Sequence, residues 1–405
     1  MKDPQTTARQ VAQTPSAAAP ATPVPDLRGA PLLSEVRLRR AAQPLTERWR
    51  QAHIAARGAT LLGVSFRPLQ LDALGLDALA CLRSLLAYPF HIIRLGAYWN
   101  HIESAPDQFR FDALDQQVDA AEQAGKRIIL NVGAVKTFGY PEFFAPMRHL
   151  RQPLREGALV GPETHPSLLA AATAFVTRVV ERYRARSAIV AWQVEHEAVD
   201  PLGMEHSWRL ATAFVRAEVM AVRAADPERP IMMNGFLPTS LPVRAQQWWR
   251  TRDQGDSLAV AQQLADIVGI DYYPRHALAS FGARTLYLDG SHSSSQRDRR
   301  QQLRAWAAKT ETAGADGRTR RLMIAEGQAE PWETVTTPPN PDAGGMSSCL
   351  PEHVIENYNQ CMRWSQQAAF SLYAYLFWGA EYWLLRQQCG DPSYLRAFER
   401  ILECA

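Results

Sequence analysis

The stretch FDALDQQVDAAEQAGKRIILNV, residues 111–132, decides the fold. Residues 111–125 are amphipathic, with Asp112 expected as the helix N-cap and Gly125 as the residue just past the helix end. RIILNV, residues 127–132, follows almost at once as a continuous apolar run. A strand reads this way when both of its faces are covered, as in a parallel sheet flanked by helices. A helix feeding such a strand through a short turn is half of a β/α repeat.

Seven further runs of the same kind flank it: LLGVSF (61–66), HIIRL (91–95), IVAWQVE (189–195), IMMN (231–234), DIVGID (266–271), RLMIAE (321–326) and LYAYLFW (372–378). Helical patterns separate them at 167–185, 207–225, 295–314 and 352–369. Eight strands alternating with helices, at spacings of roughly 30–60 residues, predict a single closed (β/α)8 TIM barrel of the α/β class. An open doubly wound sheet is the competitor. It would carry a Gly-rich phosphate turn after its first strand, and GVSFRPLQ (63–70) holds one glycine. Residues 1–30 are Pro/Ala-rich and expected to be a disordered tail, 31–60 a leading helix packed on the barrel, and 61–405 the barrel.

The bulk numbers exclude several functions. A net charge of +3 with only short basic runs, RDRR (297–300) and RTRR (318–321), argues against nucleic-acid binding. No window reaches the roughly 18 apolar residues of a membrane helix. The N-terminal segment lacks the apolar core of a signal peptide, so the expected location is cytoplasmic by default. An exported or tethered form stays open if an upstream segment was removed. The five cysteines show no metal spacing. Either all are free, or one disulfide joins two of Cys349, Cys361, Cys389 and Cys404.

In a barrel of this kind the active site lies at the C-terminal ends of the strands. Arg94 closes the second run, and a buried arginine needs a carboxylate partner. Trp99 follows it. Asn131 and Lys136 follow the third run, ahead of the aromatic loop YPEFFAP (140–146). The fourth run ends in Gln193-Val194-Glu195-His196-Glu197, where alternation places Gln193, Glu195 and Glu197 on one inward face. Two carboxylates that close should repel, so one should keep its proton and serve as a general acid. A zinc site is the rival reading, but no HExxH spacing and no second histidine cluster support it, and no metal is expected.

Tyr272 and Tyr273 close the sixth run, either as packing or as a hydroxyl donor to a neighbouring carboxylate. Glu326 is the first charge after an apolar seventh run, with Trp332 six residues on. Trp378 ends the eighth run as core packing or as a flat floor for a sugar ring, and Glu381 follows. The combination that matters is Glu197 opposite Glu326: two carboxylates across a barrel mouth are the equipment of glycosidic bond cleavage.

These residues resemble the clan of retaining β-glycosidases built on (β/α)8 barrels with catalytic glutamates on strands four and seven, which includes β-galactosidases, cellulases and β-mannanases. The resemblance runs from about residue 61 to 403. It is carried by RLGAYWNHIE with the helix and strand that follow it (94–133), WQVEHEA (192–198), DIVGIDYYP (266–274), AEGQAEPW (325–332) and LFWGAEYW (376–383). It implies Glu197 as acid/base, Glu326 as nucleophile, Arg94 as support for the nucleophile, Tyr273 ahead of Tyr272 as the aromatic beside it, and Trp378 as a platform. Trp99, Asn131, Lys136, Glu195, His196, Trp332 and Glu381 complete the expected supporting set. Two positions depart from the clan pattern: His196 stands where Asn usually binds the sugar 2-hydroxyl, and Ala198 where Pro commonly follows.

The expected activity is retaining hydrolysis of β-linked oligo- or polysaccharides, with a carbohydrate as the partner and no cofactor. His196 keeps a non-catalytic carbohydrate-binding barrel open as the alternative, and transglycosylation is the variant within enzymes. Long loops at 133–166 and 327–351 lean towards a walled pocket and exo action or short substrates.

Overall fold

The structure, a computed structural model, describes residues 47–405 except 140–141, 151–152, 202–207, 239–240, 282–283, 290–300, 302, 306, 309–319, 332–347 and 369. Each apolar run becomes a strand: β1 (Leu61–Ser65), β2 (Ile92–Gly96), β3 (Arg127–Asn131), β4 (Ile189–Gln193), β5 (Ile231–Phe236), β6 (Ile267–Tyr272), β7 (Arg321–Gln328) and β8 (Leu372–Trp378). They pair in parallel with their chain neighbours, and β1 pairs with β8 to close the barrel. The TIM barrel is thus the fold.

The decisive stretch behaves much as expected. The helix spans Asp112–Gln123, and Gly125 takes φ +67° beyond its end, where the Gly125 and Lys126 amides reach back to carbonyls of the last turn. Its N-cap is Phe111 rather than Asp112, with no side-chain cap bond; Asp112 is the first helical residue, where its charge complements the helix dipole. The helix expected from 207 begins at Thr212, because Arg209 and Leu210 pair instead with Leu159 and Val160. The 352–369 pattern folds as Pro351–Ala368. Most of the 295–314 pattern lies outside the described residues, as do the tail and the leading segment up to residue 46. From 47 onward the leading segment shows a 3-10 turn, Glu47–Gln51, with Trp49 buried. All five cysteines are free. Among the described residues no helix is long and apolar enough to cross a membrane.

Two buried layers follow from strand alternation. Ile92, Ile129, Ala191, Met232, Ile267, Met323, Ala325, Ala374 and Leu376 fill the barrel interior. The alternate residues, such as Ile93, Trp192, Met233 and Phe377, face the helices. Extending the inner set upward brings Arg94, Gln193, Asn234, Asp271 and Trp378 to the C-terminal mouth. Glu326 breaks this rule. Met323 and Ala325 already point inward, so alternation would send Glu326 outward. The register with β6 passes from Ile270↔Ile324 to Asp271↔Glu326, and this extra residue returns Glu326 to the interior. A bulge beside a functional site re-aims a side chain in just this manner.

Candidate active site

The mouth is organised around Glu326. Arg94 on β2 is fully buried, and its guanidinium Nη1 lies 2.8 Å from Glu326 Oε1. His196 Nε2 reaches the same oxygen at 2.8 Å, and the Tyr273 hydroxyl donates to Oε2 at 2.6 Å. Burial alone would raise the Glu326 carboxyl. The charges of His196 and Arg94, with hydrogen bonds from His196 and Tyr273, outweigh burial and hold it down to about 2. An ionised carboxylate only accepts, so Nε2 of His196 is the donor in this bond. Its Nδ1 is buried without a hydrogen-bond partner.

A polar belt ties this centre to the other strands. Arg94 Nε donates to Gln193 Oε1 at 2.8 Å, Gln193 Nε2 donates to Asn234 Oδ1 at 2.9 Å, and Asn234 Nδ2 donates to Asp271 Oδ2 at 2.6 Å. Asp271 is pushed well above the usual carboxylate range by burial and by the charges of Glu326 and Glu197. The donor-capable atoms of His196, Asp271 and Glu326 lie within 4.8 Å of one another, a grouping of metal-ligand type. Arg94 and Tyr273 already occupy both oxygens of Glu326, so a cation there would have to displace a guanidinium.

The loop after β4 is strained and heavily braced. Glu195 and Glu197 both have positive φ, 57° and 42°, which costs non-glycine residues roughly 1–3 kcal/mol each and clusters at functional sites. Lys136 holds the turn: its ammonium donates to the carbonyls of Glu197 at 2.6 Å and Asp200 at 2.8 Å. The His196 amide donates to the Lys136 carbonyl at 2.7 Å, and the Val199 and Asp200 amides both reach Ser257 Oγ at 3.1 Å. Glu197 is half-buried at the mouth, close enough in charge to raise Asp271 and Asp200. Asp200 is pushed up to about 7 by burial and Glu197.

Glu195 does not share the inward face of Gln193 and Glu197. Strand β4 stops at Gln193, and the left-handed turn swings the Glu195 side chain away from the mouth. It accepts from the Val135 amide at 2.9 Å and from the Lys136 amide, and pairs with Glu218. Burial and the neighbouring Glu195 push Glu218 well above its ordinary range, so the two carboxyls share a proton. The expected protonated partner of a close pair therefore exists, but the pair is Glu195–Glu218 and supports the loop. Gly133 is required at this crossing, since a Cβ there would stand 2.1 Å from the Glu195 amide nitrogen.

The remaining expected residues divide. Trp378 lies at the mouth, with the Arg67 guanidinium 4.2 Å from its ring centroid and the His196 ring parallel to it at 6.2 Å. Glu381 lies behind this ring, in a buried ion pair with Arg67 that Glu330 completes. Asn131 is a loop anchor whose Oδ1 accepts from the Gly133 amide at 2.9 Å. Trp99 is fully buried, bonds Glu103 at 2.6 Å and stacks on Phe175, so it packs a helix rather than lining the mouth. Tyr272 packs edge-on against Trp364 at 5.0 Å, leaving Tyr273 as the donor to Glu326. Trp332 lies outside the described residues.

Sequence reasoning missed Arg67, Asn234, Asp271 and Glu142. Asp271 carried the same signal as Glu326, a first charge closing an apolar run. Glu142, in the YPEFFAP loop, is half-buried and is raised by burial against the charges of Glu197 and Glu326. Two of the loop's aromatics pack against neighbouring segments: Phe144 meets Tyr98 at 4.8 Å and Phe143 meets Trp208 at 5.1 Å.

A family model described as Beta-galactosidase matches residues 82–214, a span that contains Arg94 and the whole β4 turn. No curated protein matches the sequence. The GH5_18 enzyme from Streptomyces cattleya, solved in complex with GlcNAc, has a TM-score of 0.51 at 13% identity, over 80% of this chain and 71% of that one. The exo-β-1,4-mannosidase Op5Man5 from Opitutaceae bacterium strain TAV5 gives 0.49 at 13% identity, over 81% and 55%. Xylanase 10B from Thermotoga maritima gives 0.48 at 14%, over 85% and 95%. The barrel is the fold shared by the (β/α)8 glycosidase clan, and residues 82–214 resemble one of its family models. The matches set apart no one family within that clan.

Proposed function

We propose that the protein is a retaining β-glycoside hydrolase acting on oligo- or polysaccharides, with Glu326 as nucleophile and Glu197 as acid/base. The observation that carries this reading is the Glu326 carboxylate, buried at a strand end yet held ionised by Arg94, His196 and Tyr273. A structural ion pair needs one cation; three convergent donors on one carboxylate suit a nucleophile that must stay charged.

In the first step a Glu326 oxygen attacks the anomeric carbon, the glycosidic C–O bond breaks, and the Glu197 proton passes to the leaving oxygen. In the second, Glu197 takes a proton from water, the hydroxide oxygen bonds to the anomeric carbon, and the Glu326 ester is released. Asp200 and Asp271 are both raised by burial and by the Glu197 charge, the direction that lessens like charge around Glu197.

The test is a panel of aryl β-glycosides with the wild type and Glu326→Ala. Loss of turnover by at least about 10³-fold, with azide restoring it and giving an inverted azide product, is the expected result. Full hydrolysis by the variant overturns the nucleophile assignment. His196 motivates the second reading, a carbohydrate-binding barrel without turnover: it occupies a nucleophile oxygen at 2.8 Å where the clan carries Asn. Glycan binding with no hydrolysis across the panel would select that reading, and product analysis at high sugar concentration separates transglycosylation from hydrolysis.

A further inference from the structure

Beside the acid/base turn lies a second cavity, of about 720 Å³, that the chemistry above does not use. It is walled by Pro238, Arg244, Gln247, Trp248, Asp256 and Gln301 among others. It stands on the mouth side of the barrel: Pro238 comes just after the end of β5, whose next residue, Leu237, donates its amide to the Asp271 carbonyl at 3.0 Å. It is joined to the acid/base through Asp200. That carboxyl feels the Glu197 charge, its Oδ2 lies 3.5 Å from Gln247 Nε2 in the cavity wall, and its Oδ1 receives the Ser257 amide next to Asp256.

The lining is unusual for a surface of this chain. Trp248 and Trp249 are 62% and 63% exposed, the two most exposed tryptophans among the described residues. The face of Trp249 is covered by the Arg252 guanidinium at 4.0 Å, a cation–π contact. Trp248 is the ring that borders the cavity, surrounded by an amide, guanidinium groups and a carboxylate. An exposed aromatic plane inside a ring of hydrogen-bonding groups complements a sugar. The C–H face of a pyranose is apolar and faintly positive against the negative π face, while its edge of hydroxyls needs donors and acceptors.

We infer that this cavity is a carbohydrate subsite for the leaving-group side of the substrate, with Trp248 as its stacking platform. The side follows from chemistry. The acid protonates the leaving oxygen, so the leaving sugar extends past the acid, and the cavity adjoins the Glu197 turn. Gln247, Arg244 and Asp256 would then meet hydroxyls of a sugar that makes no contact with Glu326.

This inference rests on the glycosidase reading, and the test separates the two. Wild type, Trp248→Ala and Trp248→Phe are assayed on β-glycosyl fluorides and on β-1,4-linked tetrasaccharides of gluco, manno and xylo configuration. Fluoride fills no leaving-group subsite. The expected result for Trp248→Ala is a KM on the cleaved tetrasaccharide raised about tenfold, with fluoride turnover unchanged and Trp248→Phe close to wild type. Equal loss on both substrates, or no change on the tetrasaccharide, overturns the subsite. If the wild type cleaves fluorides but no tetrasaccharide, the subsite falls and the glycosidase reading stands. If nothing is cleaved, tryptophan quenching by the same tetrasaccharides decides: quenching lost in Trp248→Ala supports the subsite, and no quenching in the wild type removes it.

Discussion

His196 Nε2 and Arg94 Nη1 converge on a single oxygen, Oε1 of Glu326, each at 2.8 Å. The histidine that departs from the clan pattern is therefore engaged by Glu326, and its Nε2 proton cannot simultaneously serve a sugar hydroxyl. Aryl glycosides with and without the 2-hydroxyl should be turned over at similar kcat/KM by the wild type. His196→Asn should regain a preference for the 2-hydroxyl of about 2–10-fold, the worth of one hydrogen bond. A strong 2-hydroxyl preference in the wild type would remove this assignment.

Tyr273 is half-buried, and its hydroxyl donates to Oε2 of Glu326 at 2.6 Å. Tyr273→Phe should leave the melting temperature within a few degrees of wild type. The acid limb of kcat/KM should move up from about 2 towards the ordinary 4.5, because a donor to the charged form is lost. The pH–rate profile checks both the shift and its sign.

Arg94 is a buried charge whose loss removes the guanidinium paired with the buried Glu326 carboxylate. Arg94→Met should cost about 3–5 kcal/mol of stability in urea unfolding near neutral pH. Glu326 is depressed in the fold, so its contribution is present above 4.5 and lost as pH falls through about 2. The variant's deficit should therefore shrink as the pH is lowered into that window.

The Glu195–Glu218 pair titrates the other way. Glu218 is raised well above 4.5 in the fold, so its contribution is complete below that pH and is lost as pH rises through the folded value. Wild type should be less stable at pH 9 than at pH 5. Glu218→Gln, which keeps the hydrogen bond without a titrating proton, should flatten that dependence, while Glu218→Ala should destabilise at both. Thermal melts at the two pH values distinguish these outcomes.

Eight apolar runs were enough to define the barrel, because a strand covered on both faces must be apolar throughout, and a closed parallel sheet leaves few other arrangements. The same logic exposed Arg94 and Glu326, charges at the ends of such runs. It missed Arg67, since nothing in GVSFRPLQ shows that Glu330 and Glu381 will converge on one guanidinium from far along the chain. It also misplaced Trp99, because an aromatic after a strand reads the same whether it lines a mouth or packs under a helix.

What the sequence determined alone was the order of elements and the residue types delivered to one end of the barrel. Which way those residues point was decided only in the tertiary structure. The bulge at Ala325–Glu326 turns the Glu326 carboxylate inward against alternation, and the left-handed turn at Glu195 sends that carboxylate outward, again against alternation. Both reversals depend on partners distant in the chain, Asp271 and Glu218. Side-chain phase in a strand is local, but a single extra or inverted residue resets it, and only the contacts of the folded barrel stabilise that reset.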